Sequence, residues 1–578
     1  MDKAPKVNLQ STSHYFLEGL NELGIEYLFC NFGTDHAPLI EEMARWQRMG
    51  RSFPNTLSCP HENTAMHMAA GYALVTGRGQ AVLVHVDAGT ANAAMGTHNL
   101  RRSRTPVVLV AGRAPYTVRG ELKGSRDNYV HFIQEPYDQA SIVRPYCKWL
   151  WTLPSGVVTK EALRRAHSVA HSDPKGPVYL MLARETLAET WDQAAVRSFP
   201  EERYGPVAAG GADPSRVAAL AERLLHARNP ILLTSYSGRN RETPALIDEL
   251  ARFAGIRVFE PHPTHLNISR ESPCFVGFAP GKHVAAADVG LMVDADVPWI
   301  PTETAENPDT YWAHIDVDVV KEDFPIWGFP NNLRLSGDSF LILGQLLEAL
   351  KNKVTPAFRN AAAARMETIK REHDERLPAI ARMAADKGAT GKINPHYLCA
   401  ELGRAIGADD IVFNEAIRNS LAVMNQIPRT RPGSYFGLAG GALGYSGGSA
   451  LGAKLASPEH NVIQIVGDGA FYFGNPSSVY AVAKQYRLPI FTVVLDNSGW
   501  SAVKEATLRV YPDGDARAAD EFHSLLAQDM EFGKVAEAAG GYGETVADPD
   551  AVPAAIQRCL KEVRGGRAAV LHVRIPKI

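Results

Sequence analysis

Cysteine is scarce in this chain, and what there is lies scattered. Cys30, Cys59, Cys147, Cys274, Cys399 and Cys559 form no C-x-x-C pair, which argues against a disulfide or zinc framework and for reduced, mostly buried thiols in a cytoplasmic protein. No apolar run approaches the ~20 residues needed to span a bilayer, and the opening MDKAPKVNLQSTSHYF has no apolar signal core. A soluble protein with no membrane contact is therefore expected. Charge of one sign is missing too. The formal net charge is −3 over 578 residues, far from the concentrated basic surface of a nucleic-acid binder, and the cluster Arg101, Arg102, Arg104 reads as a solvated helix end. There is no G-x-G-x-x-G fingerprint, which counts against a nicotinamide dehydrogenase. Low-complexity tracts and obvious repeats are absent as well.

What is present is an ordinary globular composition, 45% hydrophobic and 21% charged, long enough for about three or four domains. Strand-like and helix-like segments alternate. Ile25–Phe32, Thr56–Cys59, Gln80–Val86, Pro106–Ala111 and Val178–Ala183 read as strands, interleaved with helices at Pro38–Gln47, Glu62–Thr76 and Ala91–Arg102. Such alternation builds a parallel sheet covered on both faces. The pattern returns in a middle block, with strands Ile231–Thr234, Val289–Val293 and Trp312–Val317. It returns again in a third, with Ile411–Asn414, Val462–Val466, Ile490–Leu495 and Ala569–Ile575. The expected fold class is α/β, three doubly wound parallel-sheet domains. They span 1–189, 190–355 and 392–578, with a solvent-exposed linking helix over 356–391.

The third block carries the most informative stretch, VIQIVGDGAFYFGNPSSVYAVAKQYRLPIFTVVLDNSGW. One apolar strand ends in Gly467-Asp468-Gly469, and a second ends in Asp496-Asn497. Neighbouring parallel strands bring such ends to one sheet edge, where α/β ligand sites form. A carboxylate, an amide oxygen and a loop carbonyl are hard ligands suited to Mg²⁺, which phosphate oxygens and water usually complete. Backbone N–H groups at Gly469 and Ala470, opening the next helix, favour the same phosphates. A magnesium–diphosphate anchor is the expectation, and an Asp that merely caps a helix is the bland alternative.

This segment resembles the signature of thiamine diphosphate-dependent enzymes, GDG followed by a helix and a strand ending in Asn. Asp496 stands in place of the first Asn of the usual pair, and the spacer is slightly longer than usual. The resemblance makes Asp468, Asn497 and the carbonyl of Gly499 the metal ligands. It also requires a Glu in apolar surroundings, where desolvation favours the neutral acid, to protonate the cofactor's aminopyrimidine. Glu62 in CPHENTAMHMAAGYALVTG matches the family's H-E-x-x-A segment; otherwise it is a first-turn Glu complementing a helix dipole. The run GSYFGLAGGALGYSGGSALG aligns without a gap on benzoylformate decarboxylases. It implies the Gly441 carbonyl on the aminopyrimidine amino group and Leu443 as the apolar wedge that bends the cofactor. In NEAIRNS, Ile417 and Arg418 depart from the family's small hydroxyl residues.

On the substrate side, His85 in LVHVDAGTAN falls on the catalytic His of benzoylformate decarboxylases, where it would protonate the developing product. FGTDHA replaces the family's glycine-rich turn, so Thr34, Asp35 and His36 are expected to point at a polar or hydroxylated substrate. HFIQEPYDQASIVRPYCKW resembles the F-Q-E segment of acetolactate synthases, which makes Gln134 an active-site residue and leaves Lys148 structural. Trp500 opens a Ser/Lys/Asp-rich stretch ending near Phe522, read as a lid over the cofactor or as a linker. Taken together, the family resemblance implies an enzyme working on 2-oxo acids, with an aldehyde or ketone acceptor if it ligates. Its site would be shared between subunits of a homodimer or homotetramer. Gln134 favours an acetolactate synthase-like carboligase by a narrow margin; His85 favours simple decarboxylation. An oxidase holding flavin adenine dinucleotide (FAD) in the middle block is a third alternative, supported by no motif, and a catalytically silent scaffold a fourth.

Overall fold

The computed structural model describes residues 8–577; residues 1–7, part of the opening segment without a signal core, lie outside them. Three six-stranded sheets form, each wholly parallel. The first comprises Tyr27–Asn31, Asn55–Ser58, Gln80–Val84, Val107–Arg113, Leu150–Thr152 and Pro177–Ala183. Numbered along the chain, these strands lie side by side in the order 2-1-3-4-6-5. The third sheet, made of Ile411–Glu415, Tyr435–Gly437, Val462–Gly467, Phe491–Asp496, Tyr542–Val546 and Ala569–Arg574, repeats that order. The middle sheet, built from Ile231–Thr234 through Leu333–Ser336, runs 3-2-1-4-5-6. Gln80–Val84 and Pro177–Ala183 are buried at every position, because helices cover both faces of a parallel sheet. In the outer sheets the strand order reverses between the first and third strands, where a crevice opens beyond the carboxyl ends.

Helix Glu62–Thr76 is buried from Glu62 through Ala73 and stops at Gly77, whose φ is +75°. Burial on all sides explains why it has no polar stripe. It packs against helix Ser446–Ala456 of the third block almost backbone to backbone. A Cβ on Gly71 would stand 1.9 Å from the Ser449 carbonyl oxygen, and one on Gly452 2.0 Å from that of Met68. The first and third blocks thereby share a hydrophobic core on their facing sides, each keeping another on its far side, while the middle block has its own.

One reading of the sequence needs correction. Arg101–Arg104 is not a solvated helix end. Arg104 donates to both oxygens of Asp296 at 3.0 and 2.7 Å and pairs with Asp318. Arg101 pairs with Asp323, and the Arg102 guanidinium covers Phe324. The acidic loops beyond the middle sheet's strand ends face the first block, and such half-buried carboxylates draw in counter-charges. Helix Pro356–Ala385 is exposed for much of its length, yet Phe358, Ala362, Ile369 and His373 are buried, so it is docked on the middle block. The stretch after Trp500 contains a helix, Ser501–Val510, with no buried residue. Among the described residues no helix is long and apolar enough to cross a membrane.

Candidate active site

At the third sheet's edge, Gly467 and Leu495 are paired across neighbouring strands, so the chain leaves both strands side by side. Asp468 Oδ1 accepts the N–H of Gly469 at 2.8 Å and Oδ2 that of Gly499 at 3.0 Å; Asn497 Oδ1 accepts the same Gly499 N–H at 3.1 Å. Two hard oxygens thus converge on one loop. Leu443, Asp468, Gly469, Ala470, Asn497 and Gly499 all line one cavity here, with Ile417, Arg418 and Trp500 beside them. Burial pushes the Asp468 carboxyl up to about 6; the neighbouring Asp496 charge adds to the rise, and the two N–H donors oppose it. A buried carboxylate with a second acid beside it is a setting that a divalent cation would relieve. No trio of His, Cys, Asp or Glu gathers as a metal cluster among the described residues, so any ion here would rest on a mixed set of carboxylate, amide and carbonyl oxygens. Asp496 itself faces inward. It bonds His572 Nε2 at 2.8 Å and accepts the Ser498 N–H, and these partners outweigh burial to hold its carboxyl below the usual value. The following helix, Asp468–Phe473, has only 6 residues, so it can offer phosphate free N–H groups but little macrodipole. Arg418 turns away to pair with Glu505.

Glu62 is 5% exposed. Its two oxygens accept the side-chain N–H groups of Asn31 at 2.9 Å and Asn92 at 3.0 Å. Among the described residues it makes no hydrogen bond to the third block. Asn31 ends the first strand and Asn92 lies on helix Ala88–Arg102. Sequence reasoning missed both, because nothing local to either asparagine announces a partner some thirty residues away.

His85 follows the third strand at the first sheet's switch point. Its Nδ1 lies 2.5 Å from Asp35 Oδ1 and its Nε2 3.0 Å from Gln134 Oε1, so both ring nitrogens donate when the ring is an imidazolium. The hydrogen bond to Asp35 is the main reason its pKa is raised; burial pulls the other way, and the Asp35 charge and Gln134 add to the rise. Asp35 and His36 do not point at a substrate, contrary to the sequence reading. Both are buried, at 1% and 0% exposure. Asp35 also accepts the Val86 N–H at 3.1 Å, while His36 Nδ1 accepts that of Gly33. Close packing against the neighbouring backbone keeps the Asp35 and His85 side chains in place. A Cβ on Gly112 would fall 1.3 Å from Asp35 Oδ2, and one on Gly33 1.8 Å from His85 Nδ1. Thr34 bonds His131. Lys148 donates to the Val169 and Ser172 carbonyls at the end of a helix, a capping role.

Residues 10–142 match the description "Thiamine pyrophosphate enzyme, N-terminal TPP binding domain", and residues 418–573 match "Thiamine pyrophosphate enzyme, C-terminal TPP binding domain". The chain is 25% identical to benzoylformate decarboxylase of Pseudomonas aeruginosa over 496 residues, 84% of this chain and 86% of that one. It is 23% identical to the acetolactate synthase isozyme 3 large subunit of Escherichia coli over 537 residues, 89% and 87% of the two chains. In fold it is similar to a thiamine diphosphate-dependent 4-hydroxybenzoylformate decarboxylase of Rhodococcus jostii RHA1, with a TM-score of 0.75 at 22% identity, covering 98% of this chain and 100% of that one.

Proposed function

Because the chain belongs to the thiamine pyrophosphate enzymes, a family of decarboxylases and carboligases, we propose that it decarboxylates a 2-oxo acid and protonates the product through His85, releasing an aldehyde. One observation carries the choice. The Asp35 carboxylate against Nδ1 favours the protonated form of His85 beside the first sheet's crevice, which suits a proton donor. Bound thiamine diphosphate supplies the carbon nucleophile and the electron sink for loss of CO₂.

The rest falls to the protein. Asp468, Asn497 and the Gly499 carbonyl would hold Mg²⁺ against the diphosphate, with Gly469 and Ala470 beside it. Leu443 would hold the cofactor bent, and the Gly441 carbonyl would accept from its amino group. Glu62 would place a proton on the far ring nitrogen, kept in line by Asn31 and Asn92. Both Glu62 oxygens are engaged within the first block, which supports a site completed by a second copy of the chain in a homodimer or homotetramer. Tyr129, Ile133 and Tyr137, all largely exposed around Gln134, supply apolar surface for that contact. Six unpaired cysteines, five of them buried, support a cytoplasmic home.

Carboligation of the acetolactate synthase kind is the second reading, favoured by Gln134 against His85 Nε2, where it could hold an acceptor. A flavin in the middle block would have to share its crevice with Arg239 and Asp294, 3.7 Å apart, although a polar cavity of about 470 Å³ lies beside them. The decisive assay incubates the protein with cofactor, Mg²⁺ and a panel of 2-oxo acids, with and without aldehydes, and identifies products by mass. Aldehyde as sole product is expected. Hydroxyketones or acetohydroxy acids would overturn the assignment in favour of ligation, and a yellow protein would favour the flavin alternative.

A further inference from the structure

The loop from Gly440 to Ser446 carries both residues aimed at the cofactor ring, and it is gripped from two sides. On one side, three alternate carbonyls are taken up by side chains of the first block of the same chain. His98 Nε2 lies 2.6 Å from the Gly440 oxygen, Asn99 Nδ2 donates to that of Ala442 at 2.9 Å, and Asn63 Nδ2 to that of Gly444 at 3.3 Å. On the other side the buried Glu415 carboxylate accepts the N–H groups of Gly444, Tyr445 and Ser446 and the Ser446 hydroxyl. The intervening carbonyls of Gly441 and Leu443 accept no hydrogen bond among the described residues. Gly441 has φ +77°, and a Cβ there would meet nothing within 4 Å, so its outer face is open while its neighbours are tied down.

We infer that His98, Asn99 and Asn63 are positioning residues that set the register of this loop and thereby aim the Gly441 carbonyl and Leu443 at the cofactor heterocycle. This rests on the cofactor reading proposed above and adds a division of labour within helix Glu62–Thr76. Glu62 is held by Asn31 and Asn92, whereas Asn63, next to it, reaches across to the cofactor loop of its own chain. An unpinned loop would free three carbonyls to compete for other donors. A left-handed residue such as Gly441 is also the easiest place for the backbone to turn over. The diphosphate anchor at Asp468 and Asn497 is not bonded to these three side chains, so loss of register should weaken ring recognition alone.

Calorimetry of the full chain with two probes separates the parts: thiamine diphosphate with Mg²⁺, and inorganic pyrophosphate with Mg²⁺. His98→Ala and Asn99→Ala should each weaken thiamine diphosphate about fivefold, the worth of one hydrogen bond. Both should leave pyrophosphate binding unchanged, and His98→Gln, which keeps an N–H donor, should recover most of the loss. His98 is half-buried, so its variants keep the test open if Asn99→Ala does not fold. Equal weakening of both probes, or undiminished thiamine diphosphate binding, would overturn the inference. If the wild-type protein takes up neither probe, the cofactor reading fails first, and that result is distinct from either.

Discussion

Asp35 holds His85 by two routes at once: one carboxylate oxygen lies 2.5 Å from the ring Nδ1 and the other accepts the N–H of Val86, the next residue along. Ring and backbone are therefore fixed by one buried group. The raised pKa of His85 means that its share of stability is present below the ordinary 6.5 and is lost as pH rises through the folded value. Asp35 is lowered, because His36 and His85 outweigh burial. Its share is present above the ordinary 3.8 and is lost as pH falls through the folded value. Asp35→Asn should therefore cost about 2 kcal/mol, with the loss greatest between those two limits. It should also move the alkaline fall in kcat/KM about one pH unit lower. A pH–rate profile matching wild type would remove His85 as the proton donor.

Glu62→Gln keeps the side chain's size and one of its two acceptor oxygens but cannot give up a proton. Turnover should drop about 10²- to 10⁴-fold while thiamine diphosphate still binds within a few-fold of wild type, as measured by calorimetry. Near-normal rates would mean that another group protonates the cofactor ring.

The anchor should depend on its metal. Chelation with EDTA should release the cofactor, and added Mg²⁺ should restore it. Asp468→Ala should weaken Mg²⁺-dependent cofactor binding at least ~10-fold. Undiminished affinity in either experiment would show that the converging oxygens of Asp468 and Asn497 are a strand-end cap and nothing more.

Glu415 offers a test in stability alone. Burial pushes its carboxyl from 4.5 up to about 7 against the four donors that favour the charged form. A folded chain that binds more protons than the unfolded one loses stability as pH rises, here across 4.5 to about 7. That shift is worth roughly 3 kcal/mol at ~1.4 kcal/mol per pH unit. Urea unfolding at pH 5 and pH 8 should show the wild type weaker at the higher pH by more than Glu415→Gln. Equal differences in the two proteins would place the carboxyl's titration elsewhere.

The sheets were legible because parallel strands covered on both faces leave short apolar runs, and Ile231–Thr234 and Val289–Val293 fall where the sequence puts them. Glu62, Asp468 and Asn497 stood out because each sits in a compact local pattern. The partners that hold them did not. Asp35 meets His85 across fifty residues, and Asn31, Asn92 and Asn99 find their acceptors only once strands and helices have packed. Arg104 shows the opposite error: three arginines in four positions look solvated until a facing acidic edge appears.

The glycine contact between helices Glu62–Thr76 and Ser446–Ala456 also bears on how the molecule comes apart. With a common interior, the two outer blocks should melt as a single cooperative unit, and the middle block, which has its own interior, could melt separately in a calorimetric scan. Heating would then abolish the Glu62 and Asp468 halves of the site in the same step, leaving neither standing alone.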